Sequence, residues 1–179
     1  IFDHENIGRD ASWHLDKVFS AQNTIREINV PGAWELIEKD YEGVAFYRNE
    51  FDVPANWEGK VVRLQFEAAN YISQVWVNNE VGGFHEGGFR PCEFRVDEML
   101  KAGETNVLTV RVVGPIIMSD KQVDGVGPME APQWRGGITG GIWQSVRLVA
   151  TGHTYVEDVF IEPKISDNTA TLNVQIDHT

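Results

Sequence analysis

The stretch VVRLQFEAANYISQVWVNNEVGGFHEGGFRPCEFRV, Val61 to Val96, decides the fold. Its first segment alternates: Val62, Leu64 and Phe66 point one way, Arg63, Gln65 and Glu67 the other. A period of two is the mark of a strand with one face in the core. Ala68-Ala69-Asn70 breaks the alternation, and Ile72 to Val77 is a second run, rich in β-branched and aromatic residues. Asn78-Asn79-Glu80 predicts a turn, because Asn tolerates positive φ and hydrogen-bonds its own backbone. Gly82 to Phe89 predicts a glycine-rich loop bearing polar and aromatic groups, and Glu93 to Val96 resumes the strand pattern. The stretch therefore predicts antiparallel strands joined by a turn and a loop.

Upstream, Gly43 opens a strand predicted over Val44 to Val53 and ended by Pro54. Ala55 to Lys60 is a turn segment whose Trp57 is placed to cap the sandwich edge. Val30-Pro31-Gly32-Ala33-Trp34-Glu35 is a sharp turn into a loop. Ile1 to Asn29 is the least regular part; a helical turn is expected over Ala11 to Val18 with Asp10 as its cap, and Trp13 and Phe19 are core anchors. Downstream, Asp97 to Ala102 predicts one helical turn, with Asp97 as N-cap and Gly103 at its end. Asn106 to Val113 alternates, with Leu108, Val110 and Val112 on one face. Gly114 to Gly141 is long, rich in Gly and Pro, and carries Met118, Met129 and Trp134. Loops of that length are uncommon inside compact domains and tend to carry function. A strand follows over Ile142 to Ala150, then a turn and candidate domain boundary at Thr151-Gly152-His153. Tyr155 to Glu162 and Thr171 to Asp177 are two more strands around a turn at Ser166-Asp167-Asn168, with Leu172, Val174 and Ile176 expected inward. About eight strand candidates with almost no helix predict an all-β sandwich or jelly roll.

The composition narrows the function classes. The 179 residues hold 15 Lys+Arg against 27 Asp+Glu, a formal net charge of −12, spread along the chain. Such a balance argues against nucleic acid and anionic membranes, which need basic patches. No apolar run approaches the roughly 20 residues of a membrane helix. The one cysteine, Cys92, permits no disulfide framework and reads as a small core residue. The five histidines show no metal spacing. The chain starts at Ile1 without a methionine, so it is expected to be a fragment or processed form, and its compartment is not readable.

Six pieces then occur in the order of a known family: Val30 to Glu35, Gly43 to Arg48, Phe66 to Asn70, Val75 to Asn78, His85 to Pro91 and Gly140 to Val146. From Phe2 to about Ala150 the chain resembles the N-terminal sugar-binding domain of glycoside hydrolase family 2, which holds β-galactosidases, β-glucuronidases and β-mannosidases. Phe2-Asp3 and Asn6-Ile7-Gly8 look like the end of that family's first strand. The resemblance implies a jelly-roll, galactose-binding-like β-sandwich over 1–150 and the first strands of an immunoglobulin-like sandwich over 151–179. It further implies retaining hydrolysis of terminal β-linked sugars, without a cofactor. The two catalytic glutamates of the family lie in a (β/α)₈ barrel beyond the immunoglobulin-like domain, and nothing in this chain matches their motifs. Retention needs two carboxyl groups roughly 5 Å apart, and no pair here is assigned to those roles, so the catalytic set is none. The implied partners are a carbohydrate substrate and the missing C-terminal domains of the same polypeptide, with room for a homo-oligomer of the full-length enzyme.

Two groups of residues carry binding chemistry. Trp134, flanked by Gln133 and Arg135, offers an aromatic platform with an amide and a guanidinium beside it, suited to a sugar. The family's matching loop reaches the mouth of the barrel's active site, where some members place an Asp; the ungapped position here is Arg135. The competing structural reading has Trp134 covering the sandwich edge. His85 and Glu86 are expected to line a groove or to dock against a neighbouring domain. Gly136-Gly137 and Gly140-Gly141 read as a tight loop re-entering the sheet. Glu86, Asp124 and Glu130 are loop acids expected to be solvated, and Trp143 is placed at the core or the edge. A free-standing carbohydrate-binding module and a structural spacer are the alternative functions, separated from the first by the length of the open reading frame.

Overall fold

A computed structural model describes residues 1–128 and 139–178. Ten strands lie among the described residues: β1 (Phe2–Asp3), β2 (Val44–Asp52), β3 (Val61–Phe66), β4 (Ile72–Val77), β5 (Glu80–Glu86), β6 (Cys92–Arg95), β7 (Thr105–Val113), β8 (Val146–Thr151), β9 (Thr154–Lys164) and β10 (Thr169–His178). One short helix, α1 (Asp16–Ser20), and four 3₁₀ turns complete the regular structure. Among the described residues no helix is long and apolar enough to cross a membrane.

The strands form a five-stranded sheet in the order β1-β2-β7-β4-β5 and a three-stranded sheet in the order β6-β3-β8. All pairings are antiparallel. The alternation seen in the sequence sets which faces meet. Val62, Leu64 and Phe66 of β3 pack with Ala45, Val75, Val77, Val110 and Val112 of the larger sheet, around Trp34. A second cluster covers the other face of that sheet and holds Trp13, Phe19, Phe46, Val113 and Ile116. Burying both faces of the large sheet gives this chain a substantial apolar driving force. Between β2 on one sheet and β8 on the other the sandwich is open, with a cleft of about 1240 Å³ lined by Tyr47, Phe51, Trp57, Phe66 and Leu148 among others.

Several local expectations shift. The predicted glycine loop from Gly82 is mostly strand: β5 runs to Glu86 and returns along β4 from the Asn78-Asn79 turn, both of whose residues have positive φ. Gly83 is needed for space, since a Cβ there would fall 2.2 Å from the Phe94 ring. The helix expected at Ala11 to Val18 starts later, at Asp16, with Leu15 as N-cap and no side-chain cap, so Asp10 plays no such part. At Asp97–Met99 only a 3₁₀ turn forms; its N-cap is Val96, while the Asp97 carboxylate pairs with Arg95. The strand expected from Ile142 begins at Val146.

β9 and β10 pair only with each other, in register from Thr154↔His178 to Lys164↔Thr169. Leu172, Val174 and Ile176, expected inward, are 59%, 48% and 62% exposed. The hairpin has no second layer within the described residues. Its described contact with the sandwich includes Tyr155, whose ring lies 3.8 Å beneath the Arg63 guanidinium.

Candidate functional site

The long excursion between β7 and β8 is held at both ends by side chains of the sandwich. At its start, the Glu42 carboxylate is buried, 5% exposed. One oxygen accepts the backbone N–H of Ile117 at 2.6 Å and that of Met118, and the other accepts the Ser119 hydroxyl. Lys121 donates to the Glu42 carbonyl at 3.2 Å. Burial pushes the Glu42 carboxyl up, but these donors and the Lys121 charge together outweigh it and hold it below its ordinary value. A little further on, Asp124 is ion-paired with the buried Arg111 and with Arg9, and Asn6 donates to it. It is therefore a structural anchor, not the solvated acid expected from its place in a loop.

The far end is fixed by the turn from Val30 to Glu35. Gly32 N–H donates to the Ile142 carbonyl at 3.0 Å and Trp34 N–H to that of Gly140 at 3.3 Å. Gly140 N–H donates in turn to Glu35 Oε1 at 2.7 Å. Gly114 and Gly140 both face the fully buried Trp34 indole, which a Cβ at either would strike at 2.4 and 2.3 Å. Glycine is required at 141 for a second reason, its φ of +89°. Asn70 and Gly141 exchange backbone hydrogen bonds, and the Asn70 amide donates to the Thr139 carbonyl. The peptide bonds Val30–Pro31 and Asn70–Tyr71 are cis.

Around this root the Trp34 indole N–H, Glu35 Oε2 and the Tyr47 hydroxyl are buried and find no hydrogen-bond partner among the described residues. Burial raises the Glu35 carboxyl above its ordinary value, against the hydrogen bonds that lower it, and burial raises Tyr47 likewise. The site is thus a frame of aromatic rings and buried polar groups that the chain leaves after Gly114 and rejoins at Gly140.

Gln133, Trp134 and Arg135 lie outside the described residues, as does Glu130. His85 and Glu86 lie on β5, at the edge of the larger sheet. Tyr71 donates to Glu86 at 2.7 Å. Burial and the nearby Arg90 hold His85 below its ordinary value, so the imidazole is neutral near pH 7. Trp143 sits at the edge, half-buried, its indole N–H on the Gly88 carbonyl at 2.8 Å. Cys92 is half-buried, and burial pushes its thiol up to about 11, which leaves it unreactive. Glu35, Glu42 and Asn70 were not legible as site residues in the sequence. Their partners lie far along the chain, and no local pattern marks such a bond.

Residues 37–152 match the family model described as glycosyl hydrolases family 2, sugar binding domain. The chain belongs to glycosyl hydrolase family 2. A β-galactosidase of Thermoanaerobacter pseudethanolicus is 32% identical over 139 residues, which is 76% of this chain and 18% of that protein. A β-glucuronidase of Bacteroides fragilis is 26% identical over 158 residues, 85% of this chain and 21% of that protein. The chain thus spans about a fifth of the length of these relatives. The solved Ruminococcus gnavus β-glucuronidase superposes over 99% of this chain and 31% of its own, with a TM-score of 0.77 at 22% identity, a likeness of fold. Within this family 2 domain, the match takes in the sandwich strands from β2 to β8, with Glu42 and Asn70, and begins just after the turn that carries Trp34 and Glu35.

Proposed function

We infer that this domain is the N-terminal, non-catalytic part of a retaining glycosidase acting on terminal β-galactosides or β-glucuronides. In that reading it holds the catalytic part in place and lends residues 114–141 to the substrate pocket. The observation that carries it is the double anchoring of the excursion. Glu42 at one root, with Glu35 and Asn70 at the other, hold both ends of the excursion through side-chain hydrogen bonds, beyond the packing of its Ile116, Val123 and Val126 into the second core cluster. Buried hydrogen-bonded frames of this kind fix a binding element to within the tolerance that substrate positioning demands. Gln133, Trp134 and Arg135 are the residues proposed to meet the sugar. The edge strand β5, with Val81 and Phe84 exposed beside His85 and Glu86, is proposed to face the rest of the polypeptide. Thr151-Gly152-His153 is proposed as the boundary, with the β9–β10 hairpin opening an immunoglobulin-like domain.

Trp134→Ala in the full-length enzyme tests this reading. The expected loss is about 1–3 kcal/mol of transition-state binding, read as kcat/KM, with the melting temperature unchanged. If the tryptophan instead packs into the sandwich, the melting temperature falls by several degrees and kcat/KM of the folded fraction stays. The 179-residue chain by itself is expected not to hydrolyse nitrophenyl β-galactoside or β-glucuronide; turnover that copurifies with it and is lost on mutating one of its acids would refute the assignment.

A further inference from the structure

The outer face of the three-stranded sheet carries a cleft of about 610 Å³. Its wall is aromatic. Phe89 and Trp143 meet edge to face, with ring centroids 5.6 Å apart at 62°. The Trp143 indole is immobilised through its bond to the Gly88 carbonyl, and Phe89 stands 65% exposed. The floor is polar and already ordered. In the strand register Gln65 of β3 faces Glu93 on β6 and Arg147 on β8, so the three side chains share one face. Gln65 donates its amide N–H to Glu93 at 2.9 Å and accepts from Arg147 Nε at 3.0 Å, and Arg147 also lies 3.4 Å from Glu67.

An aromatic wall beside a ladder of amide, carboxylate and guanidinium groups matches the two-sided character of a pyranose, which has an apolar C–H face and a rim of hydroxyls. Ligand sites generally combine apolar walls with a few placed polar groups in this way. Glu67 faces Arg147, which Gln65 also engages, and Glu93 faces Arg63 at 3.7 Å, so both guanidiniums are already taken up by carboxylates. The floor therefore disfavours an anionic sugar, and its polarity disfavours a purely apolar occupant. We propose that this cleft binds a neutral oligosaccharide. The inference goes beyond the reading of the 114–141 loop and does not depend on it, because it requires neither Trp134 nor a catalytic part.

The test is calorimetric titration of the 179-residue chain with lactose, cellobiose and galactobiose, and separately with glucuronate. At least one neutral disaccharide is expected to bind with a millimolar Kd or tighter, and glucuronate about tenfold more weakly. Phe89→Ala should weaken the neutral ligand about tenfold with an unchanged melting temperature, the side chain being exposed, and Phe89→Tyr should restore it. Absence of heat with all three disaccharides up to about 50 mM, well past a millimolar Kd, would overturn the proposal. So would a preference for glucuronate, or binding that Phe89→Ala leaves unaltered. If Phe89→Ala instead lowers the melting temperature of the full-length polypeptide and no disaccharide binds, the cleft is covered by protein and the proposal fails. Because no hydrolysis is measured, these outcomes stand apart from the fate of the glycosidase assignment.

Discussion

At Glu35 the backbone N–H of Gly140 requires an acceptor, while burial penalises the charge on that acceptor. The penalty dominates, so the carboxyl titrates above its ordinary value in the folded chain. A raised folded pKa gives a stability contribution that is complete below the unfolded value and lost as pH rises through the folded one. Glu35→Gln keeps an acceptor and removes the charge. We expect the variant to melt higher than the parent at about pH 7, and the two curves to merge by about pH 4, the carboxyl range. Scanning calorimetry across that range checks it; a variant that melts lower at neutral pH would show that the negative charge is wanted. Glu42 has the opposite sign. Its donors hold the carboxyl below the ordinary value, so its contribution is present above the unfolded pKa and lost as pH falls. Glu42→Ala should cost about 2 kcal/mol in urea denaturation near neutral pH, because three charge-assisted hydrogen bonds are removed and the part-buried N–H groups of Ile117 and Met118 lose their acceptor. That deficit should shrink on acidification.

Among the elements, β5 shows where a reading by side-chain pattern ends. Strands β3 and β7 announce themselves through alternating apolar residues and β4 through a β-branched and aromatic run, and the structure forms strands at all three. Glycine has no side chain to alternate, so Gly82-Gly83 reads as loop even though the backbone there is paired with β4. The reason for the small residue lies across the sandwich, in the Phe94 ring of β6. Gly83→Ala should therefore lower stability by about 1–3 kcal/mol, the usual cost of overpacking. A midpoint unchanged in urea would mean that Phe94 has room to move aside. The same limit hides the roots of the excursion. Glu35 looks like any acid after a turn, and its bond to Gly140 spans 105 positions. Asp124, with Gly125 beside it, has the look of a solvated turn until Arg111 is found against it. The anomalous length of the excursion is legible in one dimension, because it needs no partner to be noticed.

Over the whole molecule, stability is expected to be uneven. The sandwich buries both faces of its larger sheet, whereas the β9–β10 hairpin buries neither of its own. Two strands alone are marginal in water, and regions with few buried contacts open at low free energy. Amide hydrogen exchange should find Val110 protected to near the global limit and Leu172 exchanging far sooner; equal protection would contradict the assignment of the hairpin to a separate unit. The hairpin also has a consequence for handling the protein. Its strands are 11 and 10 residues long, and neither pairs with a further strand among the described residues. Val159, Phe160, Ile161 and Val174 are exposed along it. Long edges with apolar side chains are templates for intermolecular pairing. Solubility of this span should therefore be limited by its last two strands, not by its core, and a single lysine in place of Val159 should raise the concentration at which it begins to self-associate.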